Sequence, residues 1–171
     1  PRTFIRSSAD TVLNPAIDGS RGPCAFRIPP QEVVELDLAD PRRSEEWKRF
    51  CERFSPADFP DRLFGCQAGQ SAFHIDAYGQ LQLCTMVRRF NYSLTEGPFQ
   101  KGWNESLLKF RTVQGGLHQK CKRCDALHIC DICPGWSQLE NNDLNSPSEY
   151  LCDIARLRAQ AFMVNSTGLK Q

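Results

Sequence analysis

Cys121-Lys122-Arg123-Cys124-Asp125-Ala126-Leu127-His128-Ile129-Cys130-Asp131-Ile132-Cys133-Pro134 sets out two CxxC pairs with five residues between them. A CxxC pair places two sulfurs on one side of a tight turn, where backbone N–H groups can point at them, so it chelates without long loops. Two such pairs imply a metal site. Zinc ribbons separate their knuckles by roughly 15–20 residues so that each forms its own turn before the two converge. The gap here is short for that. A bacterial ferredoxin run is comparably compact, ends in Cys-Pro as Cys133-Pro134 does, and sends its fourth cysteine to a different cluster. The spacing therefore favours iron–sulfur ligation over zinc.

Working outward, Cys66 and Cys84 lie upstream and Cys152 downstream, while Cys24 and Cys51 stand apart. One [4Fe–4S] cluster takes four thiolates, so seven patterned cysteines overfill one site and nearly fill two. The total of nine is odd and no export signal precedes it, which argues for reduced thiols and a cytoplasmic setting rather than a disulfide scaffold.

The remaining composition suits one ordinary domain or a large part of one: 171 residues, 40% of them apolar, with 21 Lys and Arg against 20 Asp and Glu. Disorder and collagen are excluded. A net charge of +1 gives no field for steering onto nucleic acid, and no apolar run approaches the roughly 18 residues of a membrane span. Neither nucleic acid nor membrane is an expected partner.

Along the chain, Thr3 to Ser7 reads as a short strand, followed by loop chemistry from Asn14-Pro15 to Gly22-Pro23. Pro29 and Pro30 open one or two helical turns over Gln31 to Leu36. Asp40 is a cap and Pro41 a first-turn residue for a helix whose Trp47, Phe50, Cys51 and Phe54 share one face. Pro56 to Pro60 marks a boundary. Phe73 and Ile75, then Leu81 and Leu83, alternate around Asp76-Ala77-Tyr78-Gly79, which predicts a hairpin with glycine in the left-handed position. Phe99, Trp103, Leu107 and Phe110 predict a helix that Gly115-Gly116 ends. A last helix is expected from cap Ser146 and Pro147 through Leu151, Ile154, Ala155 and Ala159 to about Phe162. No internal repeat is visible.

The order Cys66-x12-Gly79-x4-Cys84, Cys121-x2-Cys124-x5-Cys130-x2-Cys133 and Cys152 resembles the seven-cysteine signature of the SPASM domain. That is the C-terminal auxiliary-cluster domain of radical S-adenosylmethionine peptide-modifying enzymes. The likeness covers about residues 60 to 163. It implies the end of the radical S-adenosylmethionine partial barrel plus a linker helix over 1–59, the cluster domain over 60–163 and a flexible tail over 164–171. It also implies an outer [4Fe–4S] cluster on Cys121, Cys124, Cys130 and Cys152, and an inner one on Cys66, Cys84 and Cys133. The family usually places three residues between the last two cysteines of the central run, where this chain has Asp131 and Ile132. Where many members supply a further cysteine before the first, this chain has Pro60. The inner cluster would then keep an open iron, or take Cys51, which reads first as a core thiol.

The CxxxCxxC motif that serves S-adenosylmethionine is missing. This chain alone is therefore not expected to cleave that cofactor, which would bind only in an N-terminal core outside it. A start at Pro1 suggests the C-terminal part of a longer enzyme; a gene that lost its catalytic half is the alternative. The resemblance implies a ribosomally made precursor peptide or small protein as substrate and an electron donor or acceptor protein as partner.

No histidine is assigned as a ligand: His74, His118 and His128 read as surface or core residues. Arg88, Arg89, Lys120, Lys122 and Arg123 either raise the potential of an anionic cluster or form a solvated face. Phe73, Trp103, Trp136 and Tyr150 read as packing around a site that excludes water, Asp76 as a turn residue, and Asp125 as a group able to exchange protons near it. The expected fold is a small irregular α+β domain, a hairpin and loops around two iron–sulfur sites with flanking helices. Metal–thiolate bonds would supply much of its folding free energy. The rivals are a zinc-stabilised interaction module with no redox role and a free-standing electron carrier.

Overall fold

A computed structural model of the chain describes residues 12–55, 61–88, 90–108, 110 and 116–163. The expected strand over Thr3 to Ser7, the Pro56 to Pro60 boundary, Arg89 and the tail over 164–171 lie outside those residues. The architecture is α+β, with six α-helices among the described residues and one three-stranded antiparallel sheet.

Pro29, in extended backbone, and Pro30 at the first position open α1 (Pro30–Ala39), longer than the one or two turns expected. Its inner side buries Val33, Val34 and Asp37. Asp40 ends α1 and caps α2 (Pro41–Arg53), its carboxylate accepting from the N–H groups of Arg42 at 2.9 Å and Arg43 at 3.3 Å. The Trp47 face of α2 is only half-buried; Trp47 stacks on Phe162 at 6.4 Å and packs with Cys51 against Ala126, Ile129 and Ala155.

The hairpin pairs β1 (His74–Ile75) with β2 (Gln80–Gln82) in the register Ile75 to Leu81. Gly79 takes φ 76° and the Asp76 carboxylate accepts from the N–H groups of Tyr78 and Gln80, so both turn residues act as expected. A third strand, β3 (Asn91–Ser93), pairs with β2 and was not expected, since three polar-flanked residues carry no alternation. The helix expected from Phe99 is a single turn, α3 (Phe99–Lys101), running into a π-helical stretch Gly102–Leu108. Leu107 from that stretch joins Leu63, Phe64, Leu81, Leu83 and Val87 in the main core. Burying each leucine there is worth about 1.5–3 kcal/mol.

A short α4 (Gln119–Lys122) and a 3₁₀ turn (Leu127–Ile129) carry the cysteine run into α5 (Pro134–Asn141), which Asn142 closes in the left-handed conformation at φ 56°. The last helix, α6 (Glu149–Met163), starts two residues later than a cap at Ser146 suggested. The Asn141 side chain holds the carbonyls of Ser146 and Pro147, and the Ser148 hydroxyl donates to Glu140, so these residues stay outside the helix. No described helix is long and apolar enough to cross a membrane.

Two buried charge groups tie the ends together. Asp37, fully buried on α1, accepts from Arg43 of α2 and from Arg158 of α6, the latter at 2.9 Å. Glu140 on α5, its side chain 7% exposed, takes both nitrogens of the Arg27 fork at 3.2 and 2.9 Å, together with the Trp136 indole and Ser148. The Arg27 guanidinium lies over Tyr150, 4.5 Å from the ring centre.

Replacing Asp37 by Ala strands a buried guanidinium, and is expected to lower unfolding free energy by about 3–5 kcal/mol in urea titration. Burial pushes the Glu140 carboxyl up, but its hydrogen bonds from Arg27, Trp136 and Ser148 outweigh this and hold it below 4.5. Its contribution is therefore present at neutral pH and lost as pH falls through that depressed value. Glu140→Gln should lower stability by about 1–3 kcal/mol at pH 7. The deficit should shrink near pH 3, and an equal deficit at both pH values would contradict the ion pair.

Candidate metal centre

The cysteine run folds as a ladder of three-residue turns. The N–H of Cys124 donates to the carbonyl of Cys121 at 3.1 Å, Leu127 to Cys124 at 3.1 Å and Cys130 to Leu127 at 3.2 Å. Residues three apart in such a winding come round to the same side, so a spacing of three is what gathers sulfurs. Cys152 reaches them from the first turn of α6, its own N–H donating to Ser148. Cys121, Cys124, Cys130 and Cys152 line one cavity of about 480 Å³, with Lys120, Arg123 and Arg156 also in its wall.

The thiols around that cavity act on one another. Burial first, then the neighbouring Cys152, Asp131, Cys121 and Cys124, push the Cys130 thiol up to about 12. Cys121 and Cys152 are pushed up by burial in the same way, with added repulsion from neighbouring thiols. Four thiols thus line one space, three of them raised by burial, and thiols are the ligand type that soft metals and iron–sulfur clusters take as thiolates.

Cys133 belongs to a second group. The backbone is extended at both Cys130 and Cys133, and side chains an odd number apart on extended chain leave on opposite sides. Cys133 caps α5. Burial raises its thiol, the N–H groups of Gly135 and Trp136 lower it, and Cys84 and Cys66 raise it again, which puts those two within electrostatic reach. The N–H of Val87 donates to the Cys84 sulfur at 3.4 Å. Cys66 is exposed. Among the described residues no three His, Cys, Asp or Glu side chains converge tightly enough to hold a single metal ion.

Other expected residues land elsewhere. Cys51 and Trp47 pack against the small apolar group that Cys124 and Cys130 also join, whereas Cys84 packs on the main core. Cys24 sits half-buried in the 3₁₀ turn Gly22–Phe26. His118 caps α4, His128 is buried and His74 is half-buried in β1. Of the basic residues near the cysteines, Arg88 pairs with Asp76, Lys120 with Glu149 and Lys122 with Asp61, all three side chains partly exposed. Phe73 packs on Phe99 and Trp103 and is 49% exposed, while Trp136 and Tyr150 pack against Arg27.

Sequence reasoning missed the charges that hold this region. Arg158 links Asp37 to Asp131, which stands between Cys130 and Cys133. Its signal was available: Arg158 falls on the apolar stripe Leu151, Ile154, Ala155 and Phe162, where a charge needs a buried partner. Asp61, whose carboxylate accepts from the Leu117 N–H at 2.9 Å and pairs with Lys122, carried no such signal.

Gly135 lets α5 approach the strand exit that carries Cys84, since a Cβ there would lie 2.5 Å from the Met86 Cβ. Gly135→Ala would gain about 1 kcal/mol of helix propensity but lose about 1–3 kcal/mol to overpacking. The net expectation is a lower melting temperature and faster maleimide labelling of Cys84 and Cys133. Comparisons of the chain with protein-family models, with curated proteins and with solved structures find no match, so the site is read from its own residues.

Proposed function

We propose that this chain binds two [4Fe–4S] clusters, as the auxiliary-cluster domain of a radical S-adenosylmethionine enzyme that modifies a ribosomally made peptide. Cys121, Cys124, Cys130 and Cys152 hold the outer cluster, and Cys66, Cys84 and Cys133 the inner one. The observation that carries the reading is the set of four thiols around one cavity of about 480 Å³. Four thiolates is the ligand count of one [4Fe–4S] cluster, and the five residues between the two CxxC pairs, too few for a zinc ribbon, support the cluster over zinc.

The clusters supply one-electron transfer at potentials set by charge, hydrogen bonds to sulfur and exposure. This chain's residues set those terms. The Val87 N–H donates to the Cys84 sulfur, and Lys120, Arg123 and Arg156 stand in the wall around the outer thiols. Cys66 is exposed, so the inner site would be reachable from solvent on its side. Substrate binding at that side and electron exchange with a partner protein are the two uses this arrangement allows.

The test is anaerobic reconstitution of the full chain with ferrous iron and sulfide. Brown protein with about eight irons and eight sulfides per chain is expected, falling to about four in Cys152→Ala. Colourless protein that takes up zinc alone would replace the reading with a structural zinc module.

A further inference from the structure

The bridge Cys130-Asp131-Ile132-Cys133 joins the two thiol groups, and its two middle side chains are anchored on different partners. Ile132 packs with Leu117, Cys121 and Leu127. Asp131 reaches the other way and accepts from Arg158 Nη1 at 3.2 Å. That guanidinium has no slack. Its Nε donates to buried Asp37 at 2.9 Å, its plane lies 4.3 Å from the Trp47 ring centre, and its side chain is 4% exposed. A planar fork held on one carboxylate and one ring presents its remaining nitrogens in a fixed direction, which a lysine cannot reproduce.

We propose that Arg158 is a positioning residue: acting through Asp131, it fixes the bridge so that Cys130 and Cys133 present their sulfurs to two different sites. The inference deepens the cluster reading and rests on it for its effect on iron, though its geometric half concerns the metal-free chain as well. Asp131 is the clean handle. Its side chain is 61% exposed, so removing its charge leaves the Arg158–Asp37 pair and the fold intact.

Two arms of one experiment test this, on the full chain. In the metal-free protein, iodoacetamide labelling read by mass spectrometry should be several-fold faster at Cys130 and Cys133 in Asp131→Asn than in wild type, with Cys66 unchanged and the melting temperature retained. In the reconstituted protein, Asp131→Asn and Arg158→Lys should each lose iron to a chelator about 10-fold faster. The double variant should be no faster than the worse single one, as expected for two residues acting as one link. Wild-type labelling rates in Asp131→Asn would overturn the proposal, as would additive effects in the double variant. Failure of wild type to take up iron would sink the cluster reading instead, and the labelling arm would still decide the role of Arg158.

Discussion

Arg158 has almost no contact with water, and a guanidinium in that position is tolerated only if its donors are met by carboxylates held in good geometry. Asp37 meets one side and Asp131 the other, with the Trp47 face beneath. These four residues come from α1, α2, the cysteine bridge and α6. One desolvated cation therefore ties α1, α2, the cysteine bridge and α6 to one another. Breaking its contact with buried Asp37 leaves charge in a region that cannot solvate it, whereas Asp131 meets it from the solvent side.

Such a device suits this chain because its regular structure is meagre. The strands are two or three residues long, one helix is a single turn, and the expected helix after Phe99 is mostly π-helical. The main apolar core lies between the sheet and that stretch, on the Cys84 side, while the outer thiols sit among two smaller groups built on Cys121 and Ala126. Glu140 does for the leading segment what Asp37 does for α1, gathering Arg27, Trp136 and Ser148 so that residues before Pro30 lie against α5 and α6. Loops are thereby placed by ion pairs and not by long ladders of backbone hydrogen bonds.

The thiols gain from that placement and also strain against it. Burial and mutual repulsion raise Cys121, Cys130 and Cys152 together, so the metal-free cavity gathers groups that each resist ionisation. A ligand that takes the sulfurs as thiolates must displace their protons, so its uptake would weaken as pH falls and would be coupled to the order of the surrounding turns. Cys133 stands apart from these thiols at the cap position of α5, its own thiol raised by burial against the opposing effect of the Trp136 and Gly135 N–H groups.

Spacing and turn chemistry determined the local features: the Asp40 cap, the Gly79 turn, the hairpin and the gathering of Cys121, Cys124 and Cys130 all follow from residues within a few positions of one another. The spacing of two between Cys130 and Cys133 carries its meaning in the same local way, through the alternation of extended backbone. What tertiary structure decided is everything that depends on a partner distant in sequence. The late start of α6, the third strand, the packing of Cys51 in the group that Cys124 and Cys130 join, and the pairing of Lys122 with Asp61 are of this kind. A local pattern states which side of an element is apolar or polar, but a buried charge is fixed only by the carboxylate that folding brings to it, as Asp37 is brought to Arg158 across 121 residues of chain.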